Sequence, residues 1–221
     1  MVGTARDRVL PVTRGLNGRP VFDDPPAPSY QSAEVHPGVF TPRQCERIVD
    51  LGASLDTGRA GLEATDGTEV SDVGLRRSST SWIAPEDGWW IYDKLARTAE
   101  RANRRYRLDL TGFSEDLQFT TYAEPGAFYT WHQDGLDISV AHRKLSLVVQ
   151  LSDPAEYAGA ELQFFDVVED LTGGDLDEFT AATKPQGTVI AFPSFEYHRV
   201  LPLRSGVRHS LVAWVSGPPF R

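Results

Sequence analysis

Residues 187–215 read GTVIAFPSFEYHRVLPLRSGVRHSLVAWV. Three short apolar runs, GTVIAF, HRVLPL and VRHSLVAWV, are separated by Pro-Ser and Ser-Gly punctuation, the pattern of strands joined by tight turns. Side chains alternate across a strand, so Arg208, Ser210, Val212 and Trp214 share one face of the last run. Working back toward the N-terminus, LQFTTY (117–122), FYTWH (128–132), KLSLVVQLS (144–152) and AELQFF (160–165) repeat the same texture. Short strands at this spacing predict a sandwich, a barrel or a jelly roll.

The part before residue 117 reads differently. TPRQCERIVDLGAS predicts a first helix: Thr41 caps it, Pro42 suits the first helical position, and Gln44 completes a capping box. Cys45, Ile48, Val49 and Leu51 give that helix an apolar side. A second helix is expected over Gly88 to Arg107, where Ile91, Leu95, Ala99 and Ala102 step by three or four. The Gly- and Asp-rich stretch 56–75 reads as a long loop or ragged strands. Residues 1–30 hold five of the 15 prolines and little periodicity, which suggests an extended Pro-rich arm or a strap across the domain. The expected division is therefore an arm over 1–30 and one domain over 31–221, with helical support over 41–110 and a β-barrel core over 115–217.

Composition sets outer limits. The chain has 221 residues, 22 Lys+Arg against 31 Asp+Glu and a net charge of −9, which argues against a surface that coats nucleic acid or anionic lipid. The single cysteine, Cys45, excludes an internal disulfide framework and a multi-cysteine zinc site. The longest apolar runs, such as Leu145 to Leu151, are strand-sized, and the first residues lack the apolar core of a secretion signal. The expectation is a cytoplasmic protein with no membrane and no nucleic-acid partner. Its oligomeric state is left open.

Two of the five histidines fall in telling places. His132 and Asp134, two residues apart at the end of a predicted strand, point to the same face if the chain stays extended. His198 stands at the start of another strand. Two imidazoles and one carboxylate on one face form the facial triad of non-haem Fe(II) oxygenases, which leaves coordination positions open for a cosubstrate and oxygen. His-x-Asp alone is a weak signal; Arg208 sharpens it. A guanidinium pointing into a barrel beside Val212 and Trp214 needs an anion, because an unpaired buried charge is very costly. A carboxylate fits it bidentately, and the Ser210 hydroxyl adds a hydrogen bond. The alternative is an internal salt bridge to one of the chain's many acids.

These residues, with the flanking QFTTYAEPGAFYTWHQD, RKLSLVVQLSDPAEYAGAELQF and KPQGTVIAFPSFEYHRVLPLRSGVRHSLVAWV, resemble the 2-oxoglutarate- and Fe(II)-dependent dioxygenases, in particular the prolyl/lysyl hydroxylase type. The resemblance spans about residues 35–217. It implies a mainly β fold with N-terminal helices, a cupin-like double-stranded β-helix or jelly roll. It implies His132, Asp134 and His198 as catalytic iron ligands and Arg208 as the holder of the remote carboxylate of 2-oxoglutarate, with Ser210 and Tyr122 as helpers. For Tyr122 a plain core role stands beside that one. The cofactors implied are Fe(II), with 2-oxoglutarate and dioxygen as cosubstrates. Related halogenases carry a small residue at the carboxylate position, so Asp134 favours hydroxylation. The activity implied is hydroxylation of an unactivated C–H bond of an amino acid or amino-acid side chain, free or peptide-bound, with 2-oxoglutarate decarboxylated to succinate. Its partner is then a small-molecule or peptide substrate. A protein prolyl hydroxylase and a non-catalytic jelly-roll binding module are the alternatives.

Further residues bear on substrate choice. Arg77 is the candidate for a substrate carboxylate, against a plain surface arginine beside Arg76. Trp82, Trp89 and Trp90 are candidates for a pocket wall, whereas Trp131 points away from the metal face. The acidic run DVVEDLTGGDLDEF reads as a solvated loop or as a flexible lid. Arg97, Arg101, Arg104, Arg105 and Arg107 form a basic strip late in the second helix, a solvated face or a nucleic-acid contact. His142 and His209 are expected outside the metal set.

Overall fold

Alternation along four strands builds both sides of the domain. In Leu117–Tyr122, Arg143–Gln150, Val189–Pro193 and Arg208–Ser216, one set of side chains turns to the helices and the other to the opposite sheet. Leu117, Phe119, Leu145, Leu147, Leu211 and Ala213 belong to the helix-side core. Tyr122, Val148, Ile190 and Phe192 belong to a second core between the sheets. Burial on both faces explains why these strands read as near-continuous apolar runs.

The computed structural model describes residues 30–56, 74–171 and 173–219, with the backbone of five short strands at Val12–Arg14, Pro20–Phe22, Gly58–Arg59, Leu62–Glu63 and Glu69–Val70. The large antiparallel sheet has the order Glu34–His36, Val189–Pro193, Arg143–Gln150, Arg208–Ser216, Leu117–Tyr122, Ser79–Ile83 and Gly58–Arg59, and Gly112–Phe113 pairs at the side of Arg208–Ser216. The smaller sheet runs Leu162–Phe164, His198–Val200, Phe128–His132 and Arg76–Arg77. The fold is a mainly β jelly roll with two long helices packed on the large sheet.

Helix α1, Pro42–Ser54, starts as expected: the Thr41 hydroxyl accepts from Gln44 N and the Gln44 side chain accepts from Thr41 N. It lies close on the sheet at Gly52, where a Cβ would stand 2.3 Å from the Phe119 ring. Helix α2 spans Pro85–Tyr106, three residues earlier than the expected start. Pro85 opens it with Glu86 and Asp87 in the first turn, and Gly88, at φ −144°, breaks the helical geometry where the periodicity seemed to begin.

The acidic run is a correction. It forms two helices, α3 at Phe165–Asp170 and α4 at Gly174–Thr183, rather than a loop. Val167 and Phe179 pack against the inter-sheet core and anchor them, while Asp166, Glu169, Asp170, Asp175, Asp177 and Glu178 stay exposed. In the basic strip, Arg97 pairs with Asp93 and Arg105 lies 4.0 Å from Glu34.

By internal contacts the chain divides into Met1–Gln31 and Ser32–Arg221. In the first unit the strands Val12–Arg14 and Pro20–Phe22 pair antiparallel; the rest of the expected arm lies outside the described residues apart from Tyr30 and Gln31. In the stretch 56–75, Leu62–Glu63 pairs with Glu69–Val70, and most of the remainder also lies outside them. Among the described residues no helix is long and apolar enough to cross a membrane.

Candidate active site

His132 ends the strand Phe128–His132, His198 begins His198–Val200, and the two are register partners on these antiparallel strands. Their rings therefore meet, with centroids 4.1 Å apart. His132 Nδ1 lies 2.8 Å from the Thr130 carbonyl oxygen and His198 Nδ1 lies 2.9 Å from that of Glu196. A carbonyl only accepts, so each Nδ1 carries the hydrogen and each Nε2 keeps a lone pair for a metal. Burial, helped by His198, pushes the His132 imidazole well below its ordinary value.

Asp134 completes the cluster, with Oδ1 3.7 Å from His132 Nε2 and Oδ2 3.7 Å from His198 Nε2. One ligand atom from each residue lies within 4.8 Å of the others, a spacing that suits a shared ion. The strand stops at His132, so a turn rather than extended chain places Asp134. Asp134 N and Gly135 N both donate to the Ser194 carbonyl at 2.9 Å. Gly135 fits because a Cβ there would sit 2.6 Å from the Arg143 carbonyl oxygen and 2.8 Å from Ser194 Cβ. Ser146 Oγ donates to Asp134 Oδ2 at 2.7 Å and meets Ser194 Oγ at 2.9 Å. Burial acts to raise the Asp134 carboxyl, but His198, His132 and the Ser146 hydroxyl outweigh it and hold the group below the ordinary carboxylate value.

Arg208 lies in the same cavity and is only 1% exposed. Its Nη2 donates to Gln150 Oε1 at 2.8 Å. Its Nε and Nη1 are buried with no hydrogen-bond partner, and among the described residues no carboxylate pairs with it. The internal salt bridge is therefore not the explanation of this arginine. Unsatisfied donors on a buried guanidinium that has no carboxylate partner fit an anionic ligand, and a carboxylate is what 2-oxoglutarate offers. Tyr122 stands across from Arg208 in the register with its ring 5.4 Å from the guanidinium carbon, and Ser210 is buried on the same face. Phe192 and Phe164 wall His198, at ring distances of 4.7 and 6.1 Å.

The cavity has a volume of about 480 Å³ and takes in the triad, Arg208, Ser210 and Tyr122. Arg77 does not line it. That strand is two residues long, and alternation sends Arg77 out to solvent and Arg76 into the cavity. Trp82 lines the mouth, but Trp89 and Trp90 do not; Trp90 packs on Phe40 at 6.2 Å. Trp131 stays outside under Arg199, 4.3 Å away. His209 points away from Arg208 and stacks on Phe119, and His142 meets Glu115 at 3.0 Å.

Several site residues escaped the sequence. Gln150 and Ser146 were marked by a weak signal, polar side chains two residues either side of Val148 within the apolar run 144–152. Glu115, Arg143 and Trp214 form a stack on the wall. Arg143 Nε donates to Glu115 at 2.7 Å and its guanidinium carbon lies 3.6 Å from the Trp214 ring centre. Burial acts to raise the Glu115 carboxyl, and Arg143 and His142 overcome it, leaving it below its ordinary value.

With this geometry in place, comparison with known proteins is informative. Residues 117–216 match the family model of the 2OG-Fe(II) oxygenase superfamily. A PKHD-type hydroxylase of Synechococcus sp. (strain CC9902) is 36% identical over 93 residues, 42% of this chain and 38% of that relative. A PKHD-type hydroxylase of Xanthomonas campestris pv. campestris (strain B100) is 25% identical over 185 residues, 81% of this chain and 76% of the relative. The chain thus spans about two fifths of the first of these relatives and three quarters of the second. In fold it is similar to a Pseudomonas putida prolyl-4-hydroxylase, with TM-score 0.58, 19% identity, and coverage of 85% of this chain and 93% of that one.

Proposed function

We propose that the chain, whose residues 117–216 match the 2OG-Fe(II) oxygenase superfamily and which is similar to PKHD-type hydroxylases, hydroxylates an unactivated C–H bond of an amino acid or amino-acid side chain. The balanced reaction takes substrate, 2-oxoglutarate and dioxygen to hydroxylated substrate, succinate and carbon dioxide. The observation that carries this reading is the pairing, in one cavity, of the His132–Asp134–His198 cluster with the two unpartnered donors of Arg208.

When bound, Fe(II) and 2-oxoglutarate supply the oxygen activation and the electrons for it. This chain's residues provide position and surroundings. His132, Asp134 and His198 would hold the metal, and all three line the cavity. The Thr130 and Glu196 carbonyls fix each imidazole's tautomer, and Ser146 fixes the carboxylate. Arg208, oriented by Gln150, would receive the far carboxylate of the keto acid, with Tyr122 and Ser210 beside it on the cavity wall. Val148 lines the cavity and Phe164 and Phe192 pack on the His198 ring, which gives the site apolar surroundings.

A second reading, with a prolyl residue as the substrate, draws on the name of the Pseudomonas putida prolyl-4-hydroxylase that the chain resembles in fold. One experiment tests the function and sorts these substrates. Purified protein with Fe(II) is screened against free amino acids and short peptides for oxygen-dependent succinate release matched mole for mole by hydroxylated product. Release with one class identifies the substrate. No substrate-dependent succinate with any of them removes the hydroxylase reading.

A further inference from the structure

The cavity holds a second arginine that neither the triad nor the 2-oxoglutarate site uses. Arg76 is half-buried on the edge strand Arg76–Arg77 and reaches across to the large sheet. Its Nε donates to Ser78 Oγ at 2.7 Å, Nη2 to Thr120 Oγ1 at 3.2 Å, and Nη1 to Gln118 Oε1 at a long 3.5 Å. All three acceptors are neutral, and among the described residues no carboxylate pairs with it. Its guanidinium carbon sits 4.7 Å from the centre of the Tyr129 ring, which itself stacks on His132 at 3.5 Å. Arg76 is thus held beside a metal ligand by a rigid aromatic layer, in a fixed orientation, with its charge uncompensated.

Its position separates it from Arg208. Tyr122 stands across from Arg208 in the register, whereas Thr120 and Gln118 stand across from Ser210 and Val212. At about 3.3 Å per residue, Arg76's contacts lie roughly 7 and 13 Å along the strand from the level of Arg208. The metal triad lines the same cavity, so two cationic sockets serve one site from different depths. Its volume of about 480 Å³ is within the ~300–1,000 Å³ usual for small-molecule sites. An uncompensated guanidinium on a low-dielectric wall favours an anionic ligand, and its planar fork favours a carboxylate.

The geometry points to Arg76 as the residue that binds the substrate's own carboxylate, which makes the substrate a free carboxylic acid of amino-acid type rather than an internal residue of a protein. This rests on the hydroxylase reading above. It assigns Arg76 a specificity role distinct from the cosubstrate role of Arg208.

The test uses the whole chain under anaerobic conditions, loaded with Fe(II) and 2-oxoglutarate. A visible absorption band from the loaded site comes first; its absence is a failure of the hydroxylase reading and is seen before any substrate is added. Free amino acids and their primary amides are then titrated, and binding is read calorimetrically and as a perturbation of that band. The expected result is at least one acid that binds about tenfold or more tightly than its amide, as loss of a charge-assisted bidentate contact implies. In Arg76→Gln that preference collapses to about twofold or less with the band intact, and Arg76→Lys recovers part of it. The wild-type comparison stands even where a variant fails to fold. Equal binding of acids and amides, no binding by any acid, or a preference untouched in Arg76→Gln overturns the assignment. So does an Arg76→Gln variant whose defect lies in 2-oxoglutarate affinity instead.

Discussion

Gln150 Oε1 accepts from Arg208 Nη2 at 2.8 Å, and Nε and Nη1 of the same guanidinium are buried without a partner. The pair is half a binding site: one donor is spent on orientation and two are kept for a ligand. A buried charge left in this state lowers stability for the sake of function. Arg208→Met is therefore expected to leave the metal-free protein as stable as before, within about 1 kcal/mol, or to stabilise it. Affinity for 2-oxoglutarate should fall roughly 10- to 100-fold, as for loss of a hydrogen-bonded charge. Thermal denaturation and 2-oxoglutarate titration of the variant check both halves, and a large loss of stability with normal affinity would sink the account.

Ser146 touches the metal cluster only through Asp134 Oδ2, at 2.7 Å. Ser146→Ala is expected to weaken Fe(II) binding about 10- to 100-fold, in line with other outer hydrogen bonds to metal ligands, with little change in melting temperature. Equilibrium metal titration is the measurement. Unchanged affinity means that the Ser194 backbone contacts alone position the carboxylate.

Helix α1 approaches the sheet so closely that a Cβ on Gly52 would lie within the Phe119 ring envelope, at 2.3 Å. Gly52→Val is expected to destabilise the fold by about 1–3 kcal/mol through overpacking, or more where the ring has no other rotamer. Denaturant unfolding reads this directly. A neutral variant shows that the contact is not tight.

Glu115 gives the pH dependence. Arg143 and His142 hold its carboxyl below the ordinary 4.5, so the folded state binds that proton less readily than the unfolded chain. The contribution is fully present above pH 4.5 and is lost as pH falls from there through the folded value. Wild type should exceed Glu115→Gln by about 1–3 kcal/mol at pH 7, and the gap should narrow steadily below 4.5. A gap of equal size at pH 7 and pH 3, measured on the metal-free protein, contradicts this assignment.

The legible parts of the sequence were those where one local rule decides. Period-two alternation placed Arg208, Ser210, Val212 and Trp214 on one face, the face that lines the cavity, while Leu211, Ala213 and Val215 turn to the helices. The Thr41–Gln44 capping box marked the start of α1 to the residue. Where two rules competed, the reading slipped. A strand of two residues has no period, so Arg76 and Arg77 could not be phased from sequence. The acidic run carried helix formers, but its charge and glycines read as loop until Val167 and Phe179 found the inter-sheet core. Asp134 was rightly grouped with His132, though a turn on the Ser194 carbonyl, not an extended strand, brings it there. That contact joins residues 60 positions apart, and no local pattern announces it.

The central claim is that His132, Asp134 and His198 hold Fe(II) in a cavity where Arg208 holds 2-oxoglutarate. Its most direct test is anaerobic titration of the metal-free protein with Fe(II) and 2-oxoglutarate, followed by visible absorption. A charge-transfer band is expected with the wild type and absent in His132→Ala and His198→Ala. No band with the wild type, or a band of full intensity in both variants, contradicts the account.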